Sequence, residues 1–587
     1  MKKALIYASL LLIPKLALSQ NPAPVDLDAL LSPIIGSDPQ EIILYDRVTP
    51  LANLTQFNDS INCARPALFE QALSELHRSA GNQEFITVQN LRSYAIADSI
   101  VNKTKIALIH QEINHLNIED QRHPNAAFVI NDTVITHQNA QAPALRSFEL
   151  IMASPLKKVV QGPEISFVFD QDLLLGQFQE VKEIWSDLGT NDARKIWENG
   201  QWTQSEHQVT INTTGEHLIN FIVEYHDGRV RTTQSLIHVK HAATNQGSLI
   251  ENGQIFAQIP WQGFNETSPY LGKLDYRIFY RTINGNQQAS LQKPIVIIDG
   301  FDPGDRRQIQ DSDPHPWATD NEHRSIEDMM SYVDHQGNQV AIIPMLRNLG
   351  YDVVVVNHPT HWHNGIRIDG GADYIERNAL THVQLYQRLI QRLNQNNSNE
   401  SLVIVGPSMG GQISRYALAY MEKHNIEHRT RLWVSVDSPH LGANIPIGVQ
   451  SLLHLMYNIT GSVAAGDFIE DQLNSAAARQ QLIEQYANSS NEELGQIWLD
   501  GRSISQGFSQ NKGRPIYLNY YNNLFQNGLQ GSQGYPTLSR NISLINGSLL
   551  GRSSFMNPFE ALSTETSGTL SQDNFINPGG QSLKIKG

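Results

Sequence analysis

IVGPSMGGQISRY, residues Ile404 to Tyr416, sets one serine, Ser408, between Gly406 and Gly410, directly after a run of apolar β-formers and directly before a helical pattern. Strand, then G-x-S-x-G, then helix is the context in which this motif has mechanical meaning. A turn this tight leaves no room for a Cβ where strand and helix approach each other, which accounts for the flanking glycines. It lifts the serine hydroxyl clear of a sheet. It also aims the N–H of Met409, and the N-terminus of the following helix, at negative charge developing beside the hydroxyl. Ser408 is therefore the candidate nucleophile, Met409 a candidate oxyanion donor, and Gly406 and Gly410 the residues that make the turn possible.

The surrounding sequence predicts the scaffold that such a turn needs. KPIVIIDG (Lys293 to Gly300), YDVVVVN (Tyr351 to Asn357), SLVIVG (Ser401 to Gly406) and RLWVSVD (Arg431 to Asp437) are short, continuous apolar runs separated by stretches that contain helices. Strands buried on both faces look like this, and alternation with helices predicts a parallel α/β sheet. In GADYIERNALTHVQLYQRLIQRLNQ, residues Ile375, Ala379, Val383, Tyr386, Ile390 and Leu393 form one apolar stripe that would cover one sheet face.

Two more segments carry a resemblance. VIIDGFDPGD is similar to the strand and His-Gly-Phe turn of α/β-hydrolase lipases, with Asp299 in place of the histidine. VSVDSPHLGAN (Val434 to Asn444) resembles the D-x-P-H-x-G segment of lipases and of GPI inositol-deacylase-like hydrolases. The resemblance implies an α/β-hydrolase fold, a mostly parallel sheet with helices on both faces, over roughly residues 250–587. It implies an esterase or lipase that takes a small-molecule ester or lipid and needs no cofactor and no metal. It also makes the N–H of Phe301, beside Gly300, the second oxyanion donor.

A serine hydroxyl becomes a useful nucleophile when a histidine takes its proton and a carboxylate orients that histidine, and in this fold the chain order is Ser, acid, His. Asp437 ends the strand after the serine strand and is the acid candidate; equally, it caps the loop before Pro439 and the acid lies further on. The histidines that follow Ser408 are His424, His428, His440 and His454. None of them follows the last strand-like runs, ISLING (Ile542 to Gly547) and SLKIKG (Ser582 to Gly587). His440 belongs to the D-x-P-H-x-G match, where it shapes the site rather than serving as base. HPTHWH (His358 to His363) follows a strand end and could face Ser408, with an H-x-H spacing that also admits a metal. One reading is that the histidine-bearing loop lies beyond Gly587. The rival reading is a hydrolase-like domain that binds or scaffolds without catalysis, and amidase or acyltransferase chemistry on the same serine is the third. A Leu- and Met-rich insertion over about residues 445–490 is read as a lid or acyl-chain wall.

Upstream, the pattern predicts a mainly helical region over residues 20–145, with Leu68, Ala72, Leu73 and Leu76 on one face of RPALFEQALSELHRSAG, and a small hairpin in FVINDTVITH. Residues 146–245 alternate with period two and turn at Asp227-Gly228, which predicts a small β-sandwich similar to immunoglobulin-like modules of the polycystic-kidney type. Trp185, Trp197 and Trp202 are read there as core residues rather than as an exposed binding face. The start, MKK followed by ALIYASLLLI and ALSQ, has the form of a secretory signal over residues 1–19, cleaved near Ser19, and predicts a secreted or periplasmic protein without a transmembrane anchor. With 587 residues, several domains are required. A net charge of -15 argues against nucleic acid as a partner, and a lone Cys63 excludes an intramolecular disulfide.

Overall fold

The computed structural model describes residues 42–54, 63–81, 85–96, 100–119, 123–131, 134–241, 250–310, 325–333, 336, 339–443, 445–483, 485–486, 515–545, 567–570 and 583–586. The signal-like segment 1–19 lies outside them. The chain divides into two compact units. The first takes the sequence up to Ala242 together with Met456–Ala464, and the second takes Ala243–Leu455 and the remainder from Ala465.

In the first unit, a four-stranded sheet containing Lys103–Leu116, Leu145–Pro155, Glu164–Gly176 and Glu206–Thr210 faces a seven-stranded sheet built around the hairpin Gly215–Tyr225/Val230–His241. Ile106, Leu108, Phe167 and Phe169 from one sheet share a core with Ile184, Phe221, Val223 and Ile237 from the other. Trp197 is buried in that core, and Trp202 packs against Phe169 with ring centroids 4.7 Å apart. On the outer face of the smaller sheet lies the helix Pro66–Ser79, whose Phe69, Leu73 and Leu76 meet Ala107, Ile109, Ile113 and Leu150.

The expectation of a mainly helical region over 20–145 is corrected here. Pro66–Ser79 and Val88–Ser93 are α-helical, but Lys103–Leu116, KTKIALIHQEINHL, is a 14-residue strand paired on both sides. Ile106 and Leu108 face one core while Ala107, Ile109 and Ile113 face the other. A strand buried on both faces shows no alternation in sequence and is indistinguishable by period from a buried helix. The two-sheet unit therefore takes in residues well before 146, with Cys63–Ala64 paired into the larger sheet and Lys103–Leu116 in the smaller.

The second unit is organised by a seven-stranded sheet of β1 (Ile250–Phe256), β2 (Lys273–Phe279), β3 (Pro294–Ile298), β4 (Asp352–Asn357), β5 (Leu402–Pro407), β6 (Thr430–Val436) and β7 (Arg540–Leu544). Its order is β1-β2-β4-β3-β5-β6-β7. β2 runs antiparallel to both neighbours, and all the other pairings are parallel. The continuous apolar runs divide by residue parity. Val296, Ile298, Val354, Val356 and Ile404 pack with the helices α1 (Ile375–Gln395) and α2 (Met409–Lys423). Ile295, Ile297, Val353, Val355 and Val403 pack on the opposite face with Ile309, Ile326 and Ile343. Each of these side chains gains roughly 1.5–3 kcal/mol from burial, which locks the register, because a slip of one residue would exchange the two faces. All six residues of the predicted α1 stripe lie in the α1/α2 core.

Beyond β6, the segment read as lid-like consists of short helical pieces, Ile447–Leu455, Val463–Asp467 and α3 (Ala476–Gln481), interrupted by π-helical turns. A further helix, α4 (Pro515–Gln526), packs against α3. Leu583–Lys586 forms a two-stranded ribbon with Ser567–Leu570 and is not paired with the seven-stranded sheet. No helix among the described residues is long and apolar enough to cross a membrane.

Candidate active site

Ser408 joins β5 to α2 with φ 50° and ψ -127°, a backbone conformation that L-residues rarely adopt. Strain of this kind costs on the order of 1–3 kcal/mol and persists where neighbours over-determine it. Here they do. A Cβ on Gly406 would fall 2.5 Å from the Gly410 carbonyl oxygen, and one on Gly410 would fall 2.9 Å from the Asp299 carbonyl oxygen. The Ser408 N–H donates to the Val436 carbonyl at 2.8 Å, which ties the turn to the end of β6.

Serine at a helix N-cap usually accepts a bond from the first turn. Ser408 makes no such side-chain cap, and its residue is exposed. Among the described residues the hydroxyl therefore makes no cap at the carboxyl edge of the sheet, and the Met409 N–H belongs to the first turn of α2, where helix donors lack intrahelical acceptors. A Cβ on Gly300 would lie 3.2 Å from the Ser408 Cβ and 3.6 Å from its Oγ, so the Gly300–Phe301 peptide runs beside the serine. Among the described residues the Phe301 N–H has no backbone acceptor. The five oxyanion and elbow residues expected from sequence, Phe301, Gly406, Ser408, Met409 and Gly410, are thus brought together.

The loop carrying Phe301 is held by a clamp that sequence reasoning missed. Arg307 donates to the Phe301 carbonyl at 2.7 Å and forms ion pairs with Asp299 at 3.2 Å and Asp302 at 3.8 Å. The Asp302 N–H donates to the Gly371 carbonyl at 2.9 Å. Asp305 of the same loop accepts from Asn357 and from the Thr360 N–H. Burial pushes the Asp302 carboxyl up to about 7 against the opposing pull of the Arg307 charge, and burial raises Asp299 as well. The signal lay in DGFDPGDRR, where Asp299, Asp302 and Asp305 recur every third residue ahead of Arg307.

Asp437 follows β6 directly, one strand from Ser408, since Pro407 and Val436 are register partners. It is exposed, has φ 46°, and donates its N–H to the Leu544 carbonyl at 2.7 Å. His440 is directed elsewhere. Its Nε2 lies 2.7 Å from Ser435 Oγ, its ring packs edge-on against Trp433 and Tyr535, and its carbonyl accepts from Arg415. Burial, reinforced by the Arg415 charge, lowers its pKa to about 4, so the ring is neutral near pH 7. It shapes the turn after β6.

The other histidines are also engaged away from the serine. His424 stacks on Tyr420, His428 pairs with Glu422, and His454 stacks on Tyr486. In HPTHWH, His358 meets the α1 residue His382 with their Nε2 atoms 2.9 Å apart, both rings fully buried and held neutral by desolvation. His361 contacts the Leu271 and Pro359 carbonyls, and His363 packs on Tyr270. Among the described residues, none of these rings is hydrogen-bonded to Ser408, and no group of three or more potential ligands could hold a metal ion.

A mostly parallel sheet with one antiparallel strand, and a strained serine on the strand-to-helix turn, define the second unit as an α/β-hydrolase fold. Residues 324–482, which include the elbow, β6 and the following turn, match the model of the PGAP1-like alpha/beta domain, a likeness that supports the α/β-hydrolase fold of this unit. Three solved structures are similar. A peroxisomal alpha-beta-hydrolase from Saccharomyces cerevisiae shares 13% identity over 51% of this chain and 83% of its own, with TM-score 0.24. An esterase from Rhizomucor miehei shares 12% over 52% and 76%, with TM-score 0.21. A carboxyl esterase from Bacillus coagulans shares 13% over 49% and 90%, with TM-score 0.19. Among curated proteins, none matches the chain.

Proposed function

We propose that this protein is a serine hydrolase that cleaves carboxylic esters of lipids or acylated glycans, with Ser408 as the nucleophile. The observation that carries the reading is the uncapped, exposed Ser408 hydroxyl at φ 50°, beside the Gly300–Phe301 peptide. Ser408 Oγ attacks the ester carbonyl. The N–H groups of Met409 and Phe301 hold the resulting oxyanion, each contributing about 3 kcal/mol in comparable sites. Collapse of the tetrahedral intermediate expels the alcohol and leaves an acyl-serine, which water then hydrolyses. Asp437 is the acid that orients the general-base histidine, and that histidine is contributed from outside the described residues. The acyl chain lies against the start of the Leu- and Met-rich segment after β6, Ile447–Leu455, which belongs to the same unit as Ser408. The protein is exported, with cleavage near Ser19, a reading that rests on the charged and apolar start of the chain.

The engagement of His424, His428, His440 and His454 by other partners favours the second reading, a hydrolase-like domain that binds without turnover. Hydrolysis of a short-chain p-nitrophenyl ester separates the two. Under the proposal, wild type turns over and Ser408→Ala loses at least about 10³-fold in kcat with its Tm retained. Equal rates for both proteins would remove the serine mechanism.

A further inference from the structure

Apart from the elbow, the second unit contains a cavity of about 460 Å3, within the range of small-molecule sites. Its lining is of three kinds. Trp261, Phe264 and Tyr374 supply aromatic surface, Gln262 and the side chains from α3 and α4 are amides, and Glu376 is the one carboxyl among the described lining residues. Among the described residues, the lining has no Lys, Arg or His to pair with an anionic ligand.

The polar groups are built into place. Glu376 is 1% exposed, and its two carboxyl oxygens accept from Gln480 at 2.6 Å and from Asn523 at 3.0 Å. Gln480 is itself fixed by accepting the Ile375 N–H at 2.9 Å. Asn519, Asn522, Asn523 and Gln526 follow the spacing i, i+3, i+4, i+7 and so share one face of α4. Asparagine is a poor helix former, and three of them on one face run against local preference. Asn519 and Asn522 are exposed, each presenting a carbonyl acceptor and an NH₂ donor. The aromatic side is equally fixed. The Gly263 N–H donates to Glu266 at 2.7 Å, the Asn265 N–H reaches the Tyr374 hydroxyl at 3.4 Å, and Trp261 packs edge-on against Tyr416. Phe264 remains 47% exposed at the rim.

Aromatic surface and donor–acceptor amides lining one cavity, with one oriented carboxyl and no cation among the described lining residues, match the chemistry of a sugar ring. One face of a pyranose is apolar C–H and its edge is a row of hydroxyls that both donate and accept. We infer that this cavity binds a neutral carbohydrate, with its hydroxyls on the α4 amides and Glu376 and its C–H face on Trp261 or Phe264. Asn523 also reaches the Tyr416 hydroxyl at 3.4 Å, and Tyr416 lies eight residues along α2 from Ser408, roughly 12 Å at 1.5 Å per residue. The cavity is therefore a separate site, and the inference does not depend on the serine chemistry.

Calorimetric titration of the full chain with neutral trisaccharides of glucose, mannose, galactose and N-acetylglucosamine, up to about 10 mM each, tests it. At least one sugar binds with Kd below about 1 mM, and Trp261→Ala and the exposed Asn522→Ala each weaken it about tenfold. Asn522→Ala and Gln526→Ala change surface side chains of α4, so they keep the test valid if Trp261→Ala fails to fold. Ser408→Ala leaves the affinity within about twofold. Absence of binding by all four sugars, or binding undiminished in both α4 variants, overturns the inference. Loss of binding in Ser408→Ala would move the sugar to the elbow and overturn it as well.

Discussion

The molecule contains two tight turns that the sequence marks in the same way, with glycine, and they use it for opposite reasons. At Asp227-Gly228 in the first unit, the glycine has φ +85° and open space where a Cβ would go. It supplies conformational freedom, and the hairpin strands on either side do the rest. At the elbow of the second unit the positive φ belongs to Ser408, while Gly406 and Gly410 are needed because strand, helix and the Asp299 carbonyl leave no volume. A turn that only reverses the chain places its strain on the residue that bears it most easily. A turn that presents a hydroxyl places the strain on the residue that carries it and clears the space around it.

The comparison can be broken experimentally. The largest structural effect is expected at the wall facing the serine. Arg307→Met leaves Asp299 and Asp302 buried without their cation, costing roughly 3–5 kcal/mol of stability in denaturant unfolding. It also frees the Phe301 carbonyl, so kcat falls more than KM rises. If the variant keeps wild-type stability, the clamp is not what holds the loop. Next is Gly406→Ala, where the new methyl meets backbone and costs about 3 kcal/mol. A loss as small as that of an ordinary surface change would show that the elbow has slack.

A pH effect follows from the same loop. Asp302 has its folded pKa raised to about 7, above an unfolded value of about 3.9. The folded state therefore holds the proton more tightly, and this group's contribution to stability is greatest below about pH 4, declines as pH rises to about 7, and is level above that. Asp302→Asn should remove this decline. Buried Asp373, raised to about 7 beside Arg377, titrates in the same window, so the informative quantity is the difference between wild type and variant across pH. Parallel stability profiles for the two proteins would contradict the assignment. Smallest is Gly228→Ala, which meets no atoms and pays for φ alone, about 1 kcal/mol. A cost equal to that of Gly406→Ala would erase the distinction between the turns.

The second unit was legible because its strands are buried on both faces. YDVVVVN and KPIVIIDG can hardly be anything but central strands, and the elbow follows from Gly-Pro-Ser-Met-Gly placed between one of them and a helix. The same property hid the first unit. KTKIALIHQEINHL also serves two cores, but without neighbouring turn signals or alternation it was read within a helical region. At the site, backbone positions are legible in the sequence, because an N–H is positioned by the fold whatever its side chain. The partners of a histidine are less legible, since they depend on packing. His440 is drawn to Ser435 and kept neutral by burial, with the Arg415 charge adding to it, and that burial is set by rings such as Trp433 and Tyr535, the latter far away in sequence. Asp299 and Asp302, which pair with Arg307, are buried by tertiary packing, and local sequence does not distinguish a buried aspartate from a solvated one.

The central claim is that the Ser408 hydroxyl is the reactive nucleophile, and covalent labelling tests it most directly. Treatment of the purified full chain with a fluorophosphonate, followed by peptide mass mapping, should place one adduct on Ser408 and none on the Ser408→Ala protein. An unlabelled wild type, or an adduct that survives the substitution, would contradict the account.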